Sequence, residues 1–142
     1  MTYATLDDLT TRYGAQMLTR ITDRDGTTPD AIDAGVVAKA LGDTDAMIDG
    51  YLAARYRLPT TVVPPAIADL ALTIAIYKLH TFSPDPKIEA DYKAAVKSLE
   101  KIADGVIRLP IAGRESPGTG ASGARITDRD RPLTAKNMTG FI

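Results

Sequence analysis

The stretch from Ala66 to Leu79 constrains the fold more than any other part of the chain, because it is apolar around most of its helical circumference. Its polar side chains form only a thin stripe through Asp69, Thr73 and the following His80. A helix of this kind has to be covered on several sides. We therefore predict that it is the central helix of a bundle, covered by its own chain or by another subunit.

Helices are also predicted on the N-terminal side of this segment. A short helix should begin after Thr5, whose hydroxyl can cap the first turn, and end at Gly14. A second turn or two should follow over residues 15–20 and bury Met17, Leu18 and Ile21. Apolar residues at i, i+4 and i+7 then predict a long helix over about residues 31–56, with Asp30 as its cap.

The last helix is predicted to begin with Ser83 as its cap and Pro84 at the first helical position, and to run to about Asp104. Together these elements predict an all-α fold, a small bundle of about four helices with one long helix and an extended C-terminal arm. The residues expected to be largely buried are Leu52, Leu70, Ile74, Val96 and Leu99.

Charge and composition divide the chain near Pro110. Residues 1–110 carry 12 basic and 15 acidic side chains, a balance of −3, whereas residues 111–142 carry 5 basic and 3 acidic side chains, a balance of +2. Residues 111–123 are rich in Gly, Ser and Pro and have no apolar face, a composition typical of flexible linkers. We predict a bundle domain over residues 1–110, and a spacer with an anchoring arm over residues 111–142.

Composition excludes several classes of function. The chain has no Cys and one His, so thiolate metal sites, a Cys nucleophile and His-rich zinc sites are excluded. The net charge of −1 disfavours electrostatic binding of nucleic acid by the protein as a whole. No run approaches the ~18 apolar residues of a membrane span, and the N-terminus lacks the features of a signal peptide. We expect a soluble protein made in the cytosol.

No group of residues forms a recognisable catalytic or metal-binding motif. Asp23-x-Asp25-Gly26 resembles part of a calcium loop but lacks its later Glu, and we interpret it as a capped turn. The acidic residues Asp43, Asp45 and Asp49 could supply a carboxylate pair, but no apolar pocket or partner base is implied, and we interpret them as a solvated helix face. His80, at a helix end, is interpreted as a capping or surface group. We predict no enzymatic activity, no cofactor and no metal.

The arm carries two unusual features. Residues 20–25 recur letter for letter as residues 125–130, which is either a coincidence between two polar turns or a sign that both copies dock on similar surfaces. Apolar residues also return at the C-terminus, in a segment too short to build a core. That segment either folds back on its own domain or inserts into another protein. The predicted partner-binding residues of the arm are Arg114, Arg125, Arg129, Arg131, Leu133, Met138, Phe141 and Ile142.

The order of several motifs resembles a known family. Tyr3-Ala4-Thr5-x-x-Asp8-Leu9 is followed by Arg12-Tyr13-Gly14, and then by the more specific block Ile48-Asp49-Gly50-Tyr51-Leu52-x-x-Arg55-Tyr56-x-Leu58-Pro59, with Gly140-Phe141 near the end. This order resembles the Mu-like phage and prophage proteins placed at the head–tail junction. It is similar in plan to the connector, or adaptor, proteins of long-tailed phages.

The resemblance implies a structural subunit of the virion, made in the bacterial host cytoplasm. Such subunits form a ring, usually of twelve, beneath the portal protein, and join the capsid to a tail-side joining or terminator protein while DNA passes through the lumen. The arm would reach the portal or a neighbouring copy.

Two alternatives belong to other classes. The first is a small nucleic-acid-binding regulator that contacts phosphates through the Arg residues of its arm. The second is a small hydrolase built on the acidic positions, for which no poised base or metal set is found in the sequence.

Overall fold

The computed structural model describes residues 1–26, 30–60 and 62–111, and these form five α-helices without a β-strand. The helices are α1 (Leu6–Tyr13), α2 (Ala15–Thr22), α3 (Ala34–Leu52), α4 (Pro65–Leu79) and α5 (Pro86–Ala103). The predicted all-α fold is confirmed. Of the predicted spacer and arm over residues 111–142, all residues except Ile111 lie outside the described residues.

Helices α3, α4 and α5 pack against one another and form the centre of the bundle. One core cluster joins Leu52 of α3, Ile74 of α4 and Leu99 of α5. A second cluster joins the other halves of α3 and α4 to α1 and α2, through residues such as Leu9 and Leu18. Helix α4 contributes to both clusters, which is why it needs apolar residues on most of its faces.

The N-terminal pair of helices turns sharply at Gly14, which has a φ of 84° and separates α1 from α2. Thr5 caps α1 as predicted, since its hydroxyl accepts from the Asp8 backbone N–H at 3.2 Å. Because α2 is a full helix of eight residues, the bundle has five helices rather than about four. Of the residues expected to be buried here, Leu18 is buried, whereas Met17 and Ile21 are half-buried.

Helix α3 is shorter than predicted, with 19 residues from Ala34 to Leu52. Its cap is Asp33 rather than Asp30, and the Asp33 carboxylate accepts from the N–H groups of Gly35 and Val36 at 2.8 and 3.1 Å. The Asp33 N–H in turn donates to the Thr22 hydroxyl at 3.2 Å, so a tertiary contact with α2 fixes where the helix begins.

The start of α5 also differs from the prediction. Asp85 is the cap and Pro86 the first helical residue, in place of Ser83 and Pro84. A residue that precedes proline avoids the α conformation, so Asp85 cannot lie inside a helix that continues through Pro86. Among the predicted core residues, Leu52, Ile74 and Leu99 are buried, whereas Leu70 and Val96 are only half-buried.

Candidate interaction surface

None of the eight arm residues predicted to bind a partner lies in the described part of the chain, which ends at Ile111. The second copy of the repeated six-residue segment, residues 125–130, also lies outside it. The described residues do show how the chain is held where it leads into the arm.

Residues 104–111 return from the end of α5 onto the core. Leu109 is buried, and its N–H donates to the hydroxyl of Tyr56 at 3.0 Å. Tyr56 is itself buried, and Ile111 packs against the same core cluster. The base of the arm is therefore fixed to the bundle.

Gly105 allows the chain to turn back in this way. It has a φ of 76°, and the N–H of Val106 donates to the Lys101 carbonyl at 2.9 Å, as in a glycine-terminated helix. The guanidinium group of Arg55 lies against Gly105 where a Cβ would stand. Arg55 and Tyr56, two residues of the most specific sequence block, thus both contact the segment that leads into the arm.

We expect Tyr56→Phe to loosen this segment without unfolding the bundle. The substitution leaves the buried Leu109 N–H without its acceptor, which costs about 1–3 kcal/mol. Hydrogen exchange should show faster exchange at Leu109, while the amides of α4 keep their protection. Unchanged exchange at Leu109 would contradict this role of Tyr56.

We expect Gly105→Ala to destabilise the chain by about 1–2 kcal/mol, because an L-residue is strained at positive φ and the new methyl group displaces Arg55. Gly50→Ala is the matched control, since Gly50 lies in α3 with open space around its Cα. That control should stabilise the chain by about 0.5–1 kcal/mol. Urea unfolding measures both, and equal effects of the two substitutions would be inconsistent with a special role for Gly105.

Asp45 and Asp49 hold the N-terminal segment against α3. The Tyr3 N–H donates to Asp45 at 3.0 Å, the Tyr3 hydroxyl donates to Asp49, and the N-terminal ammonium pairs with Asp49 at 3.2 Å. Burial raises the pKa of Tyr3, and the contact with Asp49 raises it further. The interpretation of these two carboxylates as a solvated helix face is therefore wrong, because they bind residues 1–3.

Partial burial raises the pKa of Asp45 above 3.8, although the Tyr3 N–H and the N-terminal ammonium oppose the shift. A carboxyl with a raised folded pKa favours the folded state while protonated, and this contribution is lost as the pH rises through the folded pKa. Asp45→Asn retains an acceptor for the Tyr3 N–H and does not ionise. Its stability relative to wild type should therefore increase as the pH rises above about 4, the ordinary pKa of an aspartate, and urea unfolding that showed a constant or decreasing difference would refute this.

Large apolar side chains are exposed at the end of the bundle where α5 finishes and α4 begins. Val62 is 70% exposed, Val106 73% and Ile107 39%. Val106 and Ile107 belong to residues 104–111, the segment that leads from this end into the arm. Phe82, 86% exposed, lies at the opposite end.

A groove runs along α2 towards the start of α5. It consists of two adjoining cavities of about 350 and 580 Å³, both lined by Met17 and Asp85. Tyr13, Ile76 and Ile88 line the first cavity, and its lining is mostly apolar. This groove is a second surface that could receive a partner.

Neither a metal-binding group nor a membrane-spanning helix is present among the described residues. No group of three or more His, Cys, Asp or Glu residues there could hold a metal ion, and no helix among them is long and apolar enough to cross a membrane. The His80 ring contacts the Ile76 carbonyl at 2.7 Å at the end of α4, as expected of a capping group.

Sequence reasoning missed the roles of Tyr56 and Arg55, although both lie in the block that carries the family resemblance. The available sequence signal for Tyr56 was an aromatic residue at the predicted end of the long helix, shortly before Pro59. Gly105 follows the apolar stripe of α5, as a helix stop does, but nothing in the sequence paired it with Arg55.

Comparisons with known proteins agree with the order of the sequence motifs. The family model described as "Bacteriophage Mu, Gp36" matches residues 3–127. Gene product J of Escherichia phage Mu is 35% identical and covers 100% of both chains. The Mu-like prophage FluMu protein gp36 of Haemophilus influenzae is 30% identical and covers 99% of this chain and 98% of its own.

Proposed function

Because the chain belongs to the Bacteriophage Mu Gp36 family, we propose that it is a structural protein of the virion that forms an adaptor ring between the portal and the tail. The observation that carries the proposal is the full-length match to a phage Mu protein. The resemblance to head–tail connectors and the bundle with a fixed arm base are consistent with it.

The bundle offers what a ring subunit needs. Its core is closed by α3, α4 and α5, so the subunit can fold before it assembles. The arm leaves from one fixed end, through Leu109 and Ile111. A rigid body with a long tether can contact a neighbour and a second protein at the same time, and repetition around a ring strengthens each weak contact.

The proposed position between portal and tail determines the partners. We propose contacts with the portal protein on the head side, with copies of the same chain around the ring, and with a tail-side joining or terminator protein. DNA would pass through the lumen without being bound, since the balance of −3 over residues 1–110 repeats in every subunit and repels phosphates. The role is structural, with no catalytic step.

The mass of the purified protein, alone and mixed with portal protein, tests the proposal. Light scattering should detect a mass of about twelve times the 15.1 kDa subunit mass. This mass is expected either as a particle of the protein alone or as an increase over the mass of the portal. A monomer under both conditions would overturn the ring. The same samples should bind duplex DNA only weakly at physiological salt, whereas tight and steeply salt-dependent binding would favour a nucleic-acid-binding regulator.

A further inference from the structure

The groove between α2 and α5 is formed by apolar side chains that the described residues do not fully cover. Met17 and Ile88 are half-buried, and both belong to the outer layer of the second core cluster. Ile76 is buried at its floor. In the first cavity, Lys87 pairs with Asp91 at 2.6 Å and Asp85 caps α5, while Arg20 and Gln16 line the second cavity. The floor is therefore available to an apolar segment.

The chain contains such a segment beyond the described residues. Residues 132–142 hold Leu133, Met138, Phe141 and Ile142 and no acidic side chain. The arm as a whole has a balance of +2, opposite in sign to the bundle. The 31 residues after Ile111 span up to ~100 Å when extended, so distance does not prevent the C-terminus from reaching a groove on this or another copy.

The arm base and the groove lie at different ends of the bundle. Ile111 lies at the end of the bundle where α5 finishes, whereas the groove opens where α5 begins. The 18 residues of α5 separate these ends by about 27 Å. Groove and arm base are thus different patches at opposite ends, as a heterologous contact requires. Such contacts form a ring when the rotation between successive copies closes, and an open filament when it does not.

We propose that the groove of each subunit binds residues 132–142 of a second copy, with Phe141 and its apolar neighbours against Met17, Ile76 and Ile88. This inference rests on the proposed ring, and it names one contact that holds the ring together. Positive side chains of the arm would approach Asp85 at the groove wall, where they set register more than affinity.

Disulfide trapping in the full chain tests the contact, because the natural sequence has no Cys. Proteins carrying Met17→Cys and Phe141→Cys singly are mixed and oxidised, so that a heterodimer can form only between copies. The matched control replaces Met17→Cys by Lys97→Cys, on the exposed face of α5. We expect at least about tenfold faster heterodimer formation with the groove cysteine, because docking raises its effective concentration.

Other outcomes are informative. Equal rates with both cysteines would overturn the proposal. A link that forms only within a chain carrying both Met17→Cys and Phe141→Cys would show that the segment folds into its own groove, which also overturns it. Light scattering before oxidation, with and without portal protein, tests the ring separately from the groove contact. A ring without the groove link overturns this contact alone, whereas a monomer under both conditions overturns the ring.

Circular dichroism confirms that each cysteine variant is folded. Phe141→Ser provides a variant that leaves the bundle sequence intact. This substitution should raise the protein concentration needed for ring formation at least about tenfold, as the loss of a buried aromatic anchor does. Unchanged assembly would contradict the proposal.

Discussion

Phage that carry this chain without residues 132–142 should produce filled heads and complete tails that do not join. The deletion removes Leu133, Met138, Phe141 and Ile142, the large apolar residues at the C-terminal end of the arm, and leaves every residue of the two core clusters in place. The subunit should therefore keep its fold, while the contacts proposed for the arm are lost. Infectious titre should fall to that of a phage lacking the protein altogether.

The measurement combines plaque titre, electron microscopy of the lysate and urea unfolding of the dilute subunit. A free energy of unfolding within about 0.5 kcal/mol of wild type is expected for a deletion outside the core. Substituting Lys136→Ala, which changes the same segment without removing an apolar residue, is the control and should retain infectivity. If the truncated subunit unfolds, the segment belongs to its own core; if the phage remain infectious, the arm is not an anchor.

Leu99→Ala should destabilise the bundle by about 2–5 kcal/mol, the cost of emptying a buried leucine site. Leu99 has no exposed surface and lies in the cluster that joins α3, α4 and α5. Leu70→Ala is the matched control: Leu70 is half-buried on α4, so its loss should cost less than about 2 kcal/mol. Chemical unfolding of both variants measures the difference.

A cost of less than about 0.5 kcal/mol for Leu99→Ala would place that residue outside the core. An equal cost at both sites would mean that another subunit covers Leu70. The comparison therefore also tests whether the half-buried face of α4 is covered in the assembly.

The sequence was most informative about helix positions and helix ends that depend on the residues of one segment alone. The apolar residues of α4 predict a central helix without knowledge of its partners, and Thr5 and Gly14 mark the ends of α1 from local chemistry alone. The start of α5 was predicted wrongly, because Ser83-Pro84 offers the same cap and proline pattern two residues before Asp85-Pro86. The signal for the observed start is Pro86, which excludes Asp85 from the helix interior.

Features that depend on distant residues could not be predicted. Asp33 caps α3 because Thr22 holds its N–H, and α3 ends at Leu52 while Tyr56 turns into the core to meet Leu109. The contacts of Asp45 and Asp49 with residues 1–3 likewise join positions more than 40 residues apart. Charge and spacing along one helix carry no information about such pairings, so these acidic residues resembled an exposed face.

The location of the protein in the intact virion tests the central claim most directly. An epitope tag after Met1 would be confounded by the contact of that residue with Asp49, so antibody against the native protein is preferable. Immunogold electron microscopy of purified phage should place label at the junction of head and tail. Label on the tail shaft, within the capsid or absent from the particle would contradict the account.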